Sequence, residues 1–160
     1  MNERLAYWAG FIDGEGSIFI KKEKPRRKAK RITPIYELTL KIDNTNKEVI
    51  DKFWETFGVG CKTFRQRNGP NGKPLYGTVV KQDKALAILE KIEPYVIVKR
   101  EHIKLAKEFI RQKQEFHGKK ITDEEITKRE SFYQRMKELN KRGASTAVEM
   151  NKLAGRVLSV

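Results

Sequence analysis

Residues 2–16, NERLAYWAGFIDGEG, constrain the fold more than any other part of the chain. Asn2 can cap a helix running to about Asp13, with Glu3 in its first turn, where a negative charge meets the positive end of the helix dipole. Leu5, Trp8 and Ile12 form one apolar stripe and Tyr7 and Phe11 a second. Ala6, Ala9, Gly10 and Asp13 form a third, of short side chains. A helix apolar nearly all round must be covered on more than one side. Gly14 and Gly16 are its expected stop.

The pattern then changes period. Residues 17–22 and 34–42 alternate apolar and polar positions, with Ile18, Ile20, Leu38, Leu40 and Ile42 on one side, which predicts two strands of a sheet with one wet face. The basic, proline-containing connector 23–33 reads as a loop. Asn46 can cap a second helix whose Val49, Ile50, Phe53 and Phe57 share a face and which ends at Gly58. The order repeats with a strand at 61–67, a turn at 68–74, a strand at 75–82 and a helix from Asp83 carrying Leu86, Leu89 and Ile92. Helices at about 100–116 and 123–140 follow, the second opened by the capping box Thr122 and Glu125. A short helix is expected from Thr146. The expectation is one α+β domain over residues 1–142, ordered αββαββα with extra helices, and a helical extension over 143–160.

At 160 residues the chain can bury a core without disulfides. Its single cysteine, Cys61, forms no intrachain bridge, and two histidines, His102 and His117, are too few and too separated for a zinc site. No apolar run approaches a membrane span, and the N-terminus lacks the basic start of a signal peptide, so an intracellular protein without a membrane partner is expected. Charge placement narrows the partner. The formal net charge is +14. Residues 19–41 hold nine basic against two acidic side chains, and residues 62–82 hold five and none. These two hairpins carry nearly all the excess, which favours a polyanion. A Lys/Glu-rich surface of the thermophilic kind would scatter both signs, as residues 101–142 do.

The segment WAGFIDGEG, residues 8–16, resembles the LAGLIDADG motif of a family of homing endonucleases. It matches at Ala9-Gly10, at the apolar pair Phe11-Ile12, at the acids Asp13 and Glu15, and at Gly14 and Gly16. The element order to about residue 100, with Gly58-Val59-Gly60 after the second helix, is similar to the single-motif, homodimeric members. The resemblance implies a site-specific double-strand DNA endonuclease, intron-encoded or carried in an intein, that hydrolyses phosphodiester bonds at a long pseudo-palindromic target with a divalent metal.

The residues suit that chemistry in their own right. A glycine-flanked carboxylate at a helix C-terminus can approach a phosphate, and carbonyls at such an end point at cations. Glu15 with the Gly14 carbonyl is then a metal half-site for Mg²⁺, which Mn²⁺ or Ca²⁺ could also occupy. Hydrolysis usually clamps the reacting oxygens with metals about 3.5–4 Å apart, so one carboxylate per chain is thin. A two-fold axis at Ala6, Ala9, Gly10 and Asp13 would bring two Glu15 side chains together. Asp13 itself reads as structural rather than as a ligand. By resemblance, Lys99 in EPYVIVKRE is the basic residue of the site and stabilises phosphate charge. Asn44 in KIDNTNKE is the polar residue that holds water, although Asp43 or Lys47 can take that place.

Strand parity places Ser17, Phe19, Lys21, Glu23, Glu37, Thr39, Lys41, Thr63, Arg65 and Arg67 on one face. Lys22, Lys73, Tyr76, Thr78 and Lys81 are added as DNA contacts. Arg65 and Lys21 can read guanine, whereas Arg26, Arg27, Lys28, Lys30 and Arg31 suit phosphates. The competing expectations are a non-cleaving DNA-binding protein and an RNA maturase of the same family. A basic ribosomal or chromatin-like protein explains the charge but not the GEG end of the first helix.

Overall fold

The computed structural model describes residues 2–25, 33–67 and 72–141. The elements are α1 (Glu3–Glu15), β1 (Ser17–Glu23), β2 (Ile35–Asn44), α2 (Lys47–Phe57), β3 (Cys61–Arg65), β4 (Leu75–Lys81), α3 (Gln82–Ile92), α4 (Arg100–Glu115) and α5 (Asp123–Leu139), with a 3-10 turn at Glu93–Tyr95. The αββαββα order and both later helices match the sequence-based expectation. Residues 143–160, including the helix expected from Thr146, lie outside the described residues.

The four strands form one antiparallel sheet in the order β1-β2-β4-β3. Alternation gives it two chemically different faces. Ile18, Ile20, Tyr36, Leu38, Leu40, Ile42 and Val80 are buried beneath the helices. The opposite face carries Ser17, Phe19, Lys21, Glu37, Thr39, Lys41, Asp43, Thr63, Arg65, Val79 and Lys81, which the pairing brings into rows such as Asp43, Gly77 and Thr63. No helix among the described residues is long and apolar enough to cross a membrane.

α1 runs through Glu15, two residues beyond the expected end at Asp13. Gly14 does not stop it. Gly16 does, because a Cβ there would lie 2.8 Å from the Ile12 carbonyl oxygen, so only a bare residue makes the sharp exit into β1. Inside, Trp8 packs edge-on against Phe53 with ring centroids 5.2 Å apart, and its Nε1 donates to Thr56 Oγ1. α2 starts at Asn46, whose side chain accepts from the Glu48 N–H, and ends at Gly58 with φ +65, a left-handed conformation that glycine adopts without strain. Its Trp54 donates to Thr78 Oγ1. α3 begins one residue early, at Gln82.

The C-terminal helices brace β1. In α5 the fully buried Glu125 pairs with Arg129 at 2.6 Å and accepts from Gln112, so the buried carboxylate keeps partners. One turn on, Glu130 accepts from Lys22 at 2.6 Å and from the Tyr36 hydroxyl. Burial opposes ionisation of Glu130, but hydrogen bonds from Lys22, Tyr36 and Gln134 outweigh it and hold its pKa at about 2. A carboxylate depressed in the fold contributes stability above its unfolded pKa of about 4.3 and loses that contribution as pH falls towards 2. Glu130→Gln should therefore lower stability by about 1 kcal/mol near neutrality, since the partly exposed pair is screened by solvent. Paired chemical denaturations at pH 7 and pH 3 should show the gap between variant and parent shrinking with acid.

Candidate functional site

The last turn of α1 is tied to the start of α4 by one side chain. The Asp13 carboxylate accepts from the backbone N–H groups of Ile97, Val98 and Lys99 at 2.7, 3.1 and 3.0 Å. Lys99 returns the contact, its Nζ donating to the Asp13 carbonyl oxygen. Lys99 is thus held beside the helix end that carries exposed Glu15. Burial pulls the Lys99 pKa below that of an ordinary lysine, against the attraction of Asp13 and Glu15. One turn along α4, burial also pushes buried His102 down, and the Lys99 charge adds to the effect.

Three of the expected site residues therefore meet: Asp13, Glu15 and Lys99. Asn44 does not join them by its side chain, which accepts from the Asn46 N–H at 2.8 Å and closes the turn into α2. Of the alternatives, Lys47 is paired with Asp51, and Asp43 lies on the exposed sheet face beside Lys41. Among the described residues no group of three or more His, Cys, Asp or Glu side chains converges to hold a metal. What the chain offers is a partial set of hard oxygens, the exposed Glu15 carboxylate and the Gly14 carbonyl at the helix end. That donor chemistry fits Mg²⁺ or Ca²⁺, and it fits only when completed by further oxygens.

The outer stripe of α1 needs one correction. Ala9 is fully buried in the core, so it is unavailable to a second helix. The open positions are Ala6, Gly10 and Gly14, four residues apart, and an added Cβ at Gly10 or Gly14 would meet nothing within 4 Å. Among the described residues nothing requires either to be bare. Beside Asp13, Ile97 and Val98 are 76% and 65% exposed, and Tyr7 is 55% exposed. Sequence reading placed Tyr7 on an apolar stripe but missed Ile97 and Val98, whose signal was the unpunctuated run Val96–Ile97–Val98.

On the sheet, Ser17, Lys21, Thr63, Arg65 and Lys81 occupy the exposed face as expected, with Glu37 and Lys41 half-buried. Arg67 and Lys73 are exposed beyond the ends of β3 and β4. Thr39 points the same way but is only 2% exposed, flanked in register by Phe19 and Lys81, so its hydroxyl is sequestered. Three expected contacts fall on the other side. Lys22 points to the helices, where it pairs with Glu130 and lies over the Tyr36 and Tyr133 rings. Thr78 is fully buried beneath Trp54, and Tyr76 stacks against Phe64 with centroids 5.4 Å apart. Arg26, Arg27, Lys28, Lys30 and Arg31 lie outside the described residues.

A helix with a bare outer stripe, ending in an exposed carboxylate under a curtain of antiparallel strands, defines a recognisable class. The family model for LAGLIDADG endonuclease matches residues 8–110. The chain belongs to that family. A comparison with curated proteins gives no match. Among solved structures, the homing endonuclease I-CvuI, in complex with the I-CreI target, is 21% identical, with a TM-score of 0.69 over 96% of this chain and 95% of that one. The archaeal intron-encoded homing endonuclease I-Vdi141I, complexed with DNA, is 20% identical, with a TM-score of 0.71 over 89% and 87%. I-GzeII, in complex with its DNA target, is 21% identical at TM-score 0.60, and the match spans 83% of this chain but 44% of that one.

The Asp13 clasp is directly testable. Asp13→Ala removes a charged acceptor from three amides, and each hydrogen bond to a charged group contributes about 1.5–3 kcal/mol, less where solvent substitutes. The expected outcome is a loss of about 2–3 kcal/mol, read by denaturant titration. Amide exchange at Ile97, Val98 and Lys99 should accelerate first.

Proposed function

We propose that this chain is a site-specific double-strand DNA endonuclease that acts as a homodimer with a divalent metal. The observation that carries the reading is the bare stripe Ala6, Gly10 and Gly14 leading directly to exposed Glu15, with Lys99 clasped beside it. Glycine inside a helix costs about 1 kcal/mol relative to alanine. Two such residues facing open space are explained by another helix approaching closely, as small residues allow. The match to less than half of I-GzeII supports the same view, because this chain corresponds to one portion of that longer protein.

About a two-fold axis on the stripe, the two Glu15 carboxylates and Gly14 carbonyls would complete the oxygen set that one protomer lacks. The bound metal would supply Lewis acidity and a nucleophilic water. The residues of the chain do the rest. Glu15 and Gly14 hold the site, Lys99 sets a positive charge against the phosphate, and Asp13 keeps Lys99 in place. The exposed sheet face of each protomer would lie in the major groove of one half-site, giving a nearly palindromic target of about 20 base pairs, since a ten-residue strand at roughly 3.3 Å per residue spans about one turn of duplex.

Two substitutions test the two halves of this reading. With a target selected from a random duplex library, Glu15→Gln should abolish Mg²⁺-dependent cleavage while changing DNA affinity less than about tenfold, because phosphate contacts lie elsewhere. Binding without cleavage by the parent chain would instead favour a non-cleaving binder, and preference for structured RNA over duplex DNA a maturase. Gly10→Leu should shift the mass in solution from dimer to monomer. A variant that remains dimeric at micromolar concentration would place the interface off α1.

A further inference from the structure

The exposed sheet face is almost electrically neutral. Among its described residues, Lys21 pairs with Glu23, Lys41 with Asp43, and Lys81 with Glu37 at 2.8 Å. Arg65 stands outside these pairs. A surface meant only to attract phosphates gains nothing from three carboxylates, and exposed ion pairs add little stability. The Lys41–Asp43 pair is the least exposed, its side chains 24% and 26% accessible. It also sits over an unusual floor. Gly77 occupies the row between Asp43 and Thr63, and a Cβ there would lie 2.2 Å from Asp43 Oδ1 and 2.6 Å from Thr63 Oγ1. Glycine inside a strand weakens it. Here it makes the space in which the carboxylate lies.

We propose that Lys41 and Asp43 act as one unit that reads a single G·C base pair in each half-site; this rests on the DNA-endonuclease reading above. The pair presents a donor beside an acceptor at hydrogen-bond spacing. In the major groove a G·C pair presents the complement, the guanine N7 and O6 acceptors followed by the cytosine N4 donor. Lys41 donates to the guanine acceptors, and Asp43 accepts from cytosine N4. A T·A pair offers O4 and then the adenine N6 donor, but it ends in the adenine N7 acceptor, which repels the carboxylate, and it carries the thymine methyl. Asp43 thus rejects the other pairs and also keeps Lys41 from straying to a phosphate. Asp43 is a specificity residue on this assignment and takes no part in bond cleavage.

The test is a binding selection from a random duplex library, run in Ca²⁺ with the full chain and with D43N. The parent pool should show one symmetric position per half-site fixed as G·C. In the D43N pool, discrimination at that position should fall by roughly tenfold or more, with adenine gaining, since asparagine pairs with adenine N6 and N7. All other positions should be unchanged. G77A keeps both charges but displaces the carboxylate, and it should blur the same position. A D43N pool identical to the parent pool would overturn the inference while leaving the endonuclease reading intact. A parent pool with no preferred sequence would overturn both.

Discussion

The carboxylate of Asp13 is the interaction on which the site depends. It collects three successive amides from a segment more than eighty residues downstream, so the end of α1 and the start of α4 cannot be placed independently. Without it those amides would lose the charged acceptor that all three share, and donors left unpaired on burial are costly. Its second effect is on Lys99. The side chain is drawn to the Asp13 carbonyl in a partly buried setting, where its charge is felt more strongly than in water. An acid read as structural thereby fixes where Lys99 stands relative to the helix end that carries Glu15.

Much of the architecture was legible because two periods dominate the chain. Ile18, Ile20, Leu38, Leu40 and Ile42 alternate cleanly, and their face was read correctly. Tyr76 and Thr78 were not. The start of β4 at residue 75 was read correctly, but no local signal fixes its register against β2 and β3, and a slip of one residue reverses every side chain of a strand. Lys22 was assigned by its charge, yet its position between Lys21 and Glu23 fixes it on the helical side, where Glu130 arrives from a distant helix. Ala9 failed for a different reason. In a helix apolar on all sides, the stripe that meets the core is decided by α2 and the sheet, which no local pattern reveals. That Glu15 and Lys99 stand at one end of α1 agrees with the grouping expected from the sequence. The partners of Asp13 were not legible, because main-chain donors carry no side-chain signature.

Charge is distributed on this protein by distance from the sheet. The sequence showed two hairpins with a large basic excess and only Glu23 and Glu37 as acids within them, but the strands hold Lys21, Lys41 and Lys81 in pairs with acids, while Lys24, Arg67 and Lys73 lie beyond the ends of the strands. The two arrangements differ physically: the field of the cations beyond the strand ends follows net charge and is screened by salt, whereas a paired lysine and acid present a fixed donor and acceptor.

Both tryptophans of the chain belong to helices, Trp8 to α1 and Trp54 to α2. Trp8 leans on Phe53 and Thr56 from α1, and Trp54 reaches from α2 to Thr78 under the ring-facing ammonium of Lys62. Each indole has a hydrogen-bond partner across an element boundary, so its emission reports whether α2 is seated. The exposed sheet face holds no indole among the described residues. Ultraviolet fluorescence of this protein is consequently a gauge of the helical layer alone, and an occupant of the sheet would need a label of its own to be seen.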